Sequence, residues 1–496
     1  MAISSAVDAS AVARVVGIAT NFKDLRGGNV VNLPQRIAVV GQGSTASVFS
    51  TVKAQYSSAF DVATAYGFGS PLHLAAKQLF PVNGDGVGSI PVTFYPTANG
   101  TTARVITVTP AGAGTGSGVF YVVVNNVRSA AIAVVTGTTI AQFTAAATAA
   151  IAAVLDLPVT AVDGATNVVI TAKWRGASSN GVVVTIEGPT DVGFTFGIAT
   201  TTPGAGNPTV DAALAQVGNV WESLFLNCLD VADTVALDAY SAFGEGRWGA
   251  LVRKPCVVFS GAVPTSVANA IAIPEARKTD RTNCQLVSPG AVDLPFVVAA
   301  RQLARIAVVA NNNPPRDYGS QDATGLVPGL DSAQWTYPQR DQAVKGGSST
   351  SEAKDGVLNI GDVVTFYHPT GNPNPAYRYV CDIVKLQQII FNLDIRFATD
   401  EWDGAPLIPD DQPTANRSAK KPKTAVATVA ALIDNLAINA IISDPKAAKA
   451  SILAGINGSN PKRLDIAFTV QLSGNANIIS IDLDFGFYFG TQPIVA

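Results

Sequence analysis

The sequence predicts a multidomain α/β protein: a core sheet flanked by helices, a β-rich unit inserted into it, and extended strands at both termini. Three observations carry this. Between Val210 and Ala310, apolar strands alternate with stretches of helical periodicity, the pattern of a mainly parallel sheet covered on both faces. Between Asn83 and Pro208 the chain changes to short β segments separated by Gly-, Asn- and Asp-containing turns, with one helix among them. The chain then finishes on IISIDLDFGFYF, Ile478 to Phe489, in which Ile479, Ile481, Leu483, Phe485, Phe487 and Phe489 alternate with polar or slender residues. Strict alternation gives a strand one apolar and one polar face.

Composition narrows the function. The 496 residues suffice for about two to four domains. Charged residues make up only 14%, against ~25% in ordinary soluble domains, which hints that partners cover much of the surface. Net charge is −3 and no long run of like charge occurs, so direct nucleic-acid binding is not expected. No basic segment followed by an apolar core opens the chain, and no apolar run reaches ~18 residues, so neither a signal peptide nor membrane insertion is expected.

Taken in order, residues 1–30 read as an arm. Within it Arg14 to Ala19, RVVGIA, is a short strand whose Val15, Val16 and Ile18 have no local partner. The α/β core comprises 31–85 and 207–355. It opens with an apolar strand at Arg36 to Val40, then helices at Asp61 to Phe68 and Leu72 to Phe80, with Pro71 suited to a first turn. The inserted unit, 86–206, carries expected strands at Ile90 to Tyr95, Ala103 to Thr109, Val119 to Val127, Ala130 to Val135, Val159 to Val162, Asn167 to Lys173 and Val182 to Glu187. Its helix is Ile140 to Leu155, and it ends in a linker, Thr200 to Pro208.

The core resumes with helical spacing of Leu214, Val217, Val220, Trp221, Leu224 and Phe225. Strands follow near Phe225, Cys256 and Gln285, and helices near Thr234 to Phe243, Ser266 to Arg277 and Phe296 to Ala310. Asn311 to Gly356 reads as long loops. The C-terminal unit, 356–477, has a β pair in Val357 to Tyr367 and helices at Tyr379 to Phe397, Ala425 to Ile442 and Lys446 to Ile456, the last introduced by Asp444-Pro445. Leu464 to Leu472 is a strand expected to form a hairpin with the final one, in 478–496, across the flexible link Ser473 to Asn477. Only Gly490 to Ala496 follows Phe489, so the outer edge of that hairpin is covered either by an earlier segment or by another subunit.

Candidate chemistry is sparse. Gly41-Gln42-Gly43-Ser44-Thr45-Ala46 after a strand matches the dinucleotide pattern, with Asp61 near the position of a ribose-binding acid. Against it, Ser47 to Val52 is a poor helix and Asp61 reads better as a helix N-cap. The evenly spaced Cys228, Cys256 and Cys284 are read as buried thiols in successive βα units, and with Cys381 they suit a reducing cytoplasm. His73 and His368 have no triad or metal spacing. Asp400, Glu401, Asp403, Asp410 and Asp411 crowd one loop without an EF-hand pattern. Arg417, Lys420, Lys421 and Lys423 form the one basic cluster, either a solvated turn or a docking point for an acidic protein surface.

Several stretches, in order, resemble the contractile tail sheath proteins of Mu-like bacteriophages: QRIAVVGQG at Gln35 to Gly43, YGFGSPLHLAAKQLF at Tyr66 to Phe80, and RWG at Arg247 to Gly249 before the strand at Cys256. The Pro-rich NNNPPRDYGSQDATGLVPG at Asn311 to Gly329 belongs with them, as does VFYVVVNNVRSAAIAVVTGTTIAQFTAAATAAIAA in the insertion. The likeness spans most of 35–329 and loosens after Val357. It implies a structural protein with no enzyme activity, cofactor or metal. Such subunits form hexameric rings stacked helically around a tail tube protein, bounded by baseplate and tail terminator proteins. They contract to drive the tube through the host envelope. The resemblance implies assembly in the host cytoplasm and residence in the virion tail. It also implies exchange of both terminal strands with neighbouring subunits, through Ile479 to Phe489 and Val15, Val16 and Ile18. The basic cluster would then face the tube. The competing readings are a dinucleotide-binding α/β enzyme and another viral structural subunit.

Overall fold

The computed structural model describes residues 31–372, 375–483 and 485. The chain begins with β1 (Ile37–Gln42), β2 (Ala54–Tyr56), α1 (Ala59–Tyr66), α2 (Pro71–Leu79) and β3 (Val92–Thr97). It then makes an excursion through β4 (Val105–Gly112), β5 (Gly118–Val124), β6 (Val127–Arg128), β7 (Ile132–Val134), α3 (Ile140–Ala152), β8 (Val159–Asp163), β9 (Val168–Ala172), β10 (Val184–Glu187) and β11 (Phe194–Thr202). It returns through α4 (Asp211–Ala215), β12 (Leu224–Asn227), α5 (Thr234–Trp248), β13 (Val257–Ala262), α6 (Val267–Glu275), β14 (Asn283–Val287) and α7 (Pro295–Asn312).

The large sheet has six strands in the order β14-β13-β12-β1-β3-β2. Neighbours run parallel except β2, which is antiparallel on β3. Both faces are covered, and the alternation of side chains shows how. Ile37, Val39, Leu224, Leu226, Val257 and Phe259 point to the side of α2 and α7. Ala38, Val40, Phe225 and Val258 point to the opposite side, where α4 and α5 contribute Leu214, Ala236 and Tyr240. Sheets of this kind need helices on both faces because neither face is polar.

One strand lies elsewhere than the sequence suggests. The segment expected at Ile90 to Tyr95 as the first strand of the inserted unit is β3, which runs parallel to β1 from Ile37↔Val92 to Gln42↔Thr97. The glycine-dense break before it is a loop tied to the core. The buried Arg301 guanidinium on α7 bonds Asp85 Oδ2 at 2.5 Å and Thr324 Oγ1 at 2.6 Å. Local sequence fixes that a strand forms, not which sheet it joins.

The excursion β4 to β11 builds two four-stranded sheets, β11-β4-β9-β8 and β10-β5-β6 with β7 on β5. Helix α3 starts on a capping box between Thr139 and Gln142. Phe120, Phe143, Phe194 and Phe196 form one aromatic cluster. Phe194 and Phe196 belong to β11, a strand absent from the sequence reading because Gly197 and its run of threonines resemble a linker; the expected linker Thr200 to Pro208 begins inside it.

This unit is seated on the core. Trp174 packs edge-on against Phe296 of α7 at 5.9 Å, Asn125 Nδ2 donates to Val292 O at 2.7 Å, and Thr45 N donates to Lys173 O at 2.7 Å.

The C-terminal part contains α8 (Tyr337–Lys345), β15 (Ser351–Lys354), β16 (Val357–Ile360), α9 (Val380–Phe397), α10 (Pro422–Ile438), β17 (Ile442–Ser443), α11 (Pro445–Ala450), β18 (Leu453–Ile456), β19 (Leu464–Ala467) and β20 (Gln471–Leu472). The β pair is a tight hairpin of β15 and β16 across Asp355-Gly356, both at positive φ, so its first strand lies in the expected loop. Asp444 caps α11 as expected, accepting from Ala447 N at 3.0 Å with Pro445 next, but the helix ends at Ala450 and β18 follows.

The expected terminal hairpin is not formed among the described residues. Leu464 to Leu472 is split: β19 pairs with β18, and β20 pairs with β17. Nearer partners within the C-terminal unit take up its backbone, and its side chains Ile466, Phe468 and Leu472 pack on α9 and α10.

A buried histidine sits at the seam between excursion and core. His73 Nδ1 accepts from Gly69 N at 2.9 Å. Burial lowers the His73 pKa to about 4 against the opposing pull of the Asp156 carboxylate. The unfolded imidazole titrates near ~6.5, so between ~6.5 and 4 the unfolded state binds a proton that the folded state refuses. Stability present above that window is lost as pH falls through it, by up to about 3 kcal/mol. Urea unfolding from pH 7 to pH 4 is expected to show this slope, and His73→Gln to flatten it; equal slopes would mean that His73 is not held neutral.

Candidate interaction surface

The apolar side chains at the chain's end are displayed to solvent. Ile479, Ile481, Leu483 and Phe485 are 77%, 81%, 76% and 87% exposed. None of the described residues after Leu472 lies in a strand. Phe487 and Phe489 lie outside the described residues, as do Val15, Val16 and Ile18. In a chain whose β12 and β13 are buried at every position, this run of large apolar side chains in water is an anomaly. Scattered exposed apolar residues are ordinary; a contiguous run of them is a candidate interaction site.

The segment before this row differs from the flexible link expected at Ser473 to Asn477. Its backbone is pinned. Ser473 N donates to Ile441 O at 3.2 Å. Asn475 Nδ2 donates to Pro315 O at 2.8 Å. Lys385 of α9, fully enclosed, directs its ammonium at Ser473 O (2.6 Å), Asn475 Oδ1 (2.6 Å) and Asp382 Oδ1 (2.9 Å). Three acceptors satisfy all three donors of an ammonium, which is what allows a lysine to sit there. The freely extended part of the chain therefore starts after Asn477.

The remaining candidates resolve into structure. Gly41 lies in β1 and Gly43 just after it, but no helix begins until α1, so no helix N-terminus faces the turn. A Cβ at Gly41 would lie 2.8 Å from Cys228 Cβ, and one at Gly43 2.6 Å from the Phe49 ring. The glycines admit protein, not a pyrophosphate. Gln42 between them donates to Arg175 O at 2.5 Å, stitching the core to the excursion. The N-cap of α1 is Ser58, whose hydroxyl accepts from Asp61 N; Asp61 sits in the first turn instead of capping it.

Cys228, Cys256 and Cys284 lie at or beside β12, β13 and β14, and with Cys381 all are buried free thiols. Burial pushes Cys256 and Cys284 up to about 12 and the other two higher still. His368 is buried with Nδ1 2.7 Å from Phe366 O. No group of three or more metal-ligating side chains occurs among the described residues, nor does any helix there long and apolar enough to cross a membrane.

The basic cluster is partly consumed by the acidic loop beside it. Lys420 is buried, bonds Glu401 Oε1 at 2.6 Å and lies over the Trp402 ring. Lys421 Nζ donates to Gln412 O at 2.5 Å, and Lys423 N to Asp410 Oδ1 at 3.0 Å. Lys420 thus departs from the expected surface-facing set, while Arg417 and Lys423 remain exposed. The pairing was hidden because its partners sit on the opposite limb of the same loop.

Titration calorimetry with NAD is expected to return no saturable heat; micromolar affinity would restore the cofactor reading of the Gly41-x-Gly43 turn.

No family model matches the chain. It is 23% identical over 343 residues to the Mu-like prophage FluMu tail sheath protein of Haemophilus influenzae, a match covering 68% of this chain and 69% of that one. Among solved structures it is similar to a sheath tail protein of Desulfitobacterium hafniense, with 13% identity, a TM-score of 0.44 and coverage of 92% and 100% of the two chains. A sheath tail protein of Listeria innocua gives 12% identity, a TM-score of 0.47 and coverage of 90% and 94%. The sheath complex of an extracellular contractile injection system, in the contracted state, gives 9%, 0.48, and 96% and 98%.

Proposed function

We propose that this chain is the subunit of a Mu-like contractile tail sheath, a structural protein and not an enzyme. Subunits stack as hexameric rings around a tail tube and contract to drive it through the host envelope. The partners are other copies of the chain, the tube, and the baseplate and terminator at the ends, and the site of action is the virion tail. The sequence likeness to a Mu-like prophage tail sheath protein supports this reading. The observation that carries it is the set of apolar side chains Ile479, Ile481, Leu483 and Phe485, displayed to water by a chain whose central strands β12 and β13 are fully buried.

Burying one large apolar side chain contributes about 1.5–3 kcal/mol, so the row, extended to Phe487 and Phe489, offers on the order of 10 kcal/mol before ordering costs. In the proposal that free energy is realised between subunits. The strand adds to a neighbour's sheet edge, where backbone pairing sets direction and register. Val15, Val16 and Ile18 of the N-terminal arm do the same. Arg417, Lys421 and Lys423 are left as the tube-facing charges, with Lys420 fixing their loop. Rim charges of this kind act on encounter and register more than on affinity.

A chain truncated after Asn477 is expected to stay soluble and monomeric, to melt within a few degrees of the full chain, and not to polymerise. Leu483→Asp is expected to behave in the same way, because assembly would force a charge into the shared core. Electron microscopy of negatively stained samples and a thermal melt read both properties. A truncated chain that aggregates or unfolds would place the strand in its own subunit's core and end the proposal.

A further inference from the structure

Val31 and Leu33 lie just after the N-terminal arm in sequence, and the side chains that meet them lie on the helix that grips the C-terminal link. Asn392 of α9 treats Val31 as a strand partner: its Oδ1 accepts from Val31 N at 3.0 Å and its Nδ2 donates to Val31 O at 3.0 Å. One turn earlier, Gln388 Oε1 accepts from Leu33 N at 2.7 Å. Earlier again, Lys385 holds Ser473 O and Asn475 Oδ1. Positions 385, 388 and 392 share one helical face. The Lys385 and Asn392 positions are about 10 Å apart at ~1.5 Å rise per residue. All three side chains are buried, Lys385 and Gln388 completely. The end of α7 lies against the same two segments, through Asn311 Oδ1 accepting from Gln35 N at 3.1 Å and Pro315 O accepting from Asn475 Nδ2 at 2.8 Å.

We infer that Lys385, Gln388 and Asn392 form a polar stripe that fixes the roots of both arms to one helix, so that the two arms leave the subunit at a set separation. The inference rests on the sheath reading for its purpose but not for its geometry. Every hydrogen bond from the stripe to the roots is made to backbone groups or to the amide of Asn475. The stripe therefore does not read the side chains at Val31, Leu33 or Ser473. A pull on one arm passes along α9 to the other without crossing the large sheet. In a stack whose subunits are joined through such arms, that separation stays constant while the bodies turn. The three residues are positioning residues.

The test uses the free full-length chain, so it does not depend on polymerisation. Spin labels on Asn32→Cys and Ala476→Cys report the separation of the roots by pulsed dipolar spectroscopy, with the four native thiols buried and out of reach. The unaltered stripe is expected to give one narrow distance distribution. Lys385→Met and Asn392→Leu are each expected to broaden it at least twofold while the chain still melts cooperatively. Gln388→Leu, which introduces no change of charge, serves if Lys385→Met does not fold. A broad distribution in the unaltered chain, an unchanged width in the variants, or broadening in only one of the two would overturn the shared stripe. Failure of the sheath reading would look different: a chain that never polymerises while its root separation stays narrow.

Discussion

The structure depends on one constraint: β12 and β13 are buried along their whole length on both faces. A parallel sheet of that kind cannot stand until helices cover it twice, and the covering elements come from distant parts of the chain. Helix α7 lies so close to β13 that a Cβ on Gly261 would sit 1.7 Å from Pro295 O. Backbone against backbone leaves no room for a side chain. Once α7 is fixed, the loop at Asp85, the excursion at Trp174 and the backbone at Gln35 all find their places against it.

What the sequence made legible was periodic and local. The helices near Phe296 to Ala310 and Tyr379 to Phe397 emerged as α7 and α9 because long apolar stripes with a 3.6-residue period admit one reading. The Asp444-Pro445 start and the buried thiols beside successive strands were also readable, since each follows from one residue's own chemistry. What was not legible was partnership. Nothing in VTFYPT states that it pairs with β1 and not with the excursion, and nothing in Leu464 to Leu472 states that two different strands will divide it. Such choices are made by elements far away in sequence, after loop closure brings them together.

The candidate site was half visible. The apolar row at the end of the chain was evident from alternation alone, but its root was misread as slack because Ser473 to Asn477 has the composition of a loop. The signal that would have found the root lay in α9. Lys385, Gln388 and Asn392 are polar residues one or two turns apart on a face that an otherwise apolar helix ought to bury. Buried polar groups require partners, and a stripe of them announces that the helix binds backbone from elsewhere. Lys420 teaches the same lesson on a smaller scale, since a charge counted as surface turned out to have a carboxylate and an aromatic face waiting for it.

The way Asn392 holds Val31 has a consequence for how such a protein changes over generations. The carboxamide reads an N–H and a C=O, which every residue except proline presents alike. Position 31, half open to solvent, is therefore free to drift through most of the amino acids, with proline the clear exclusion. Position 392 has no such freedom: aspartate lacks the donor, leucine both groups, and glutamine places the same groups one methylene too far out. Variation and constraint fall on opposite sides of a single pair of hydrogen bonds, so position 31 can change while the helix that holds it stays the same.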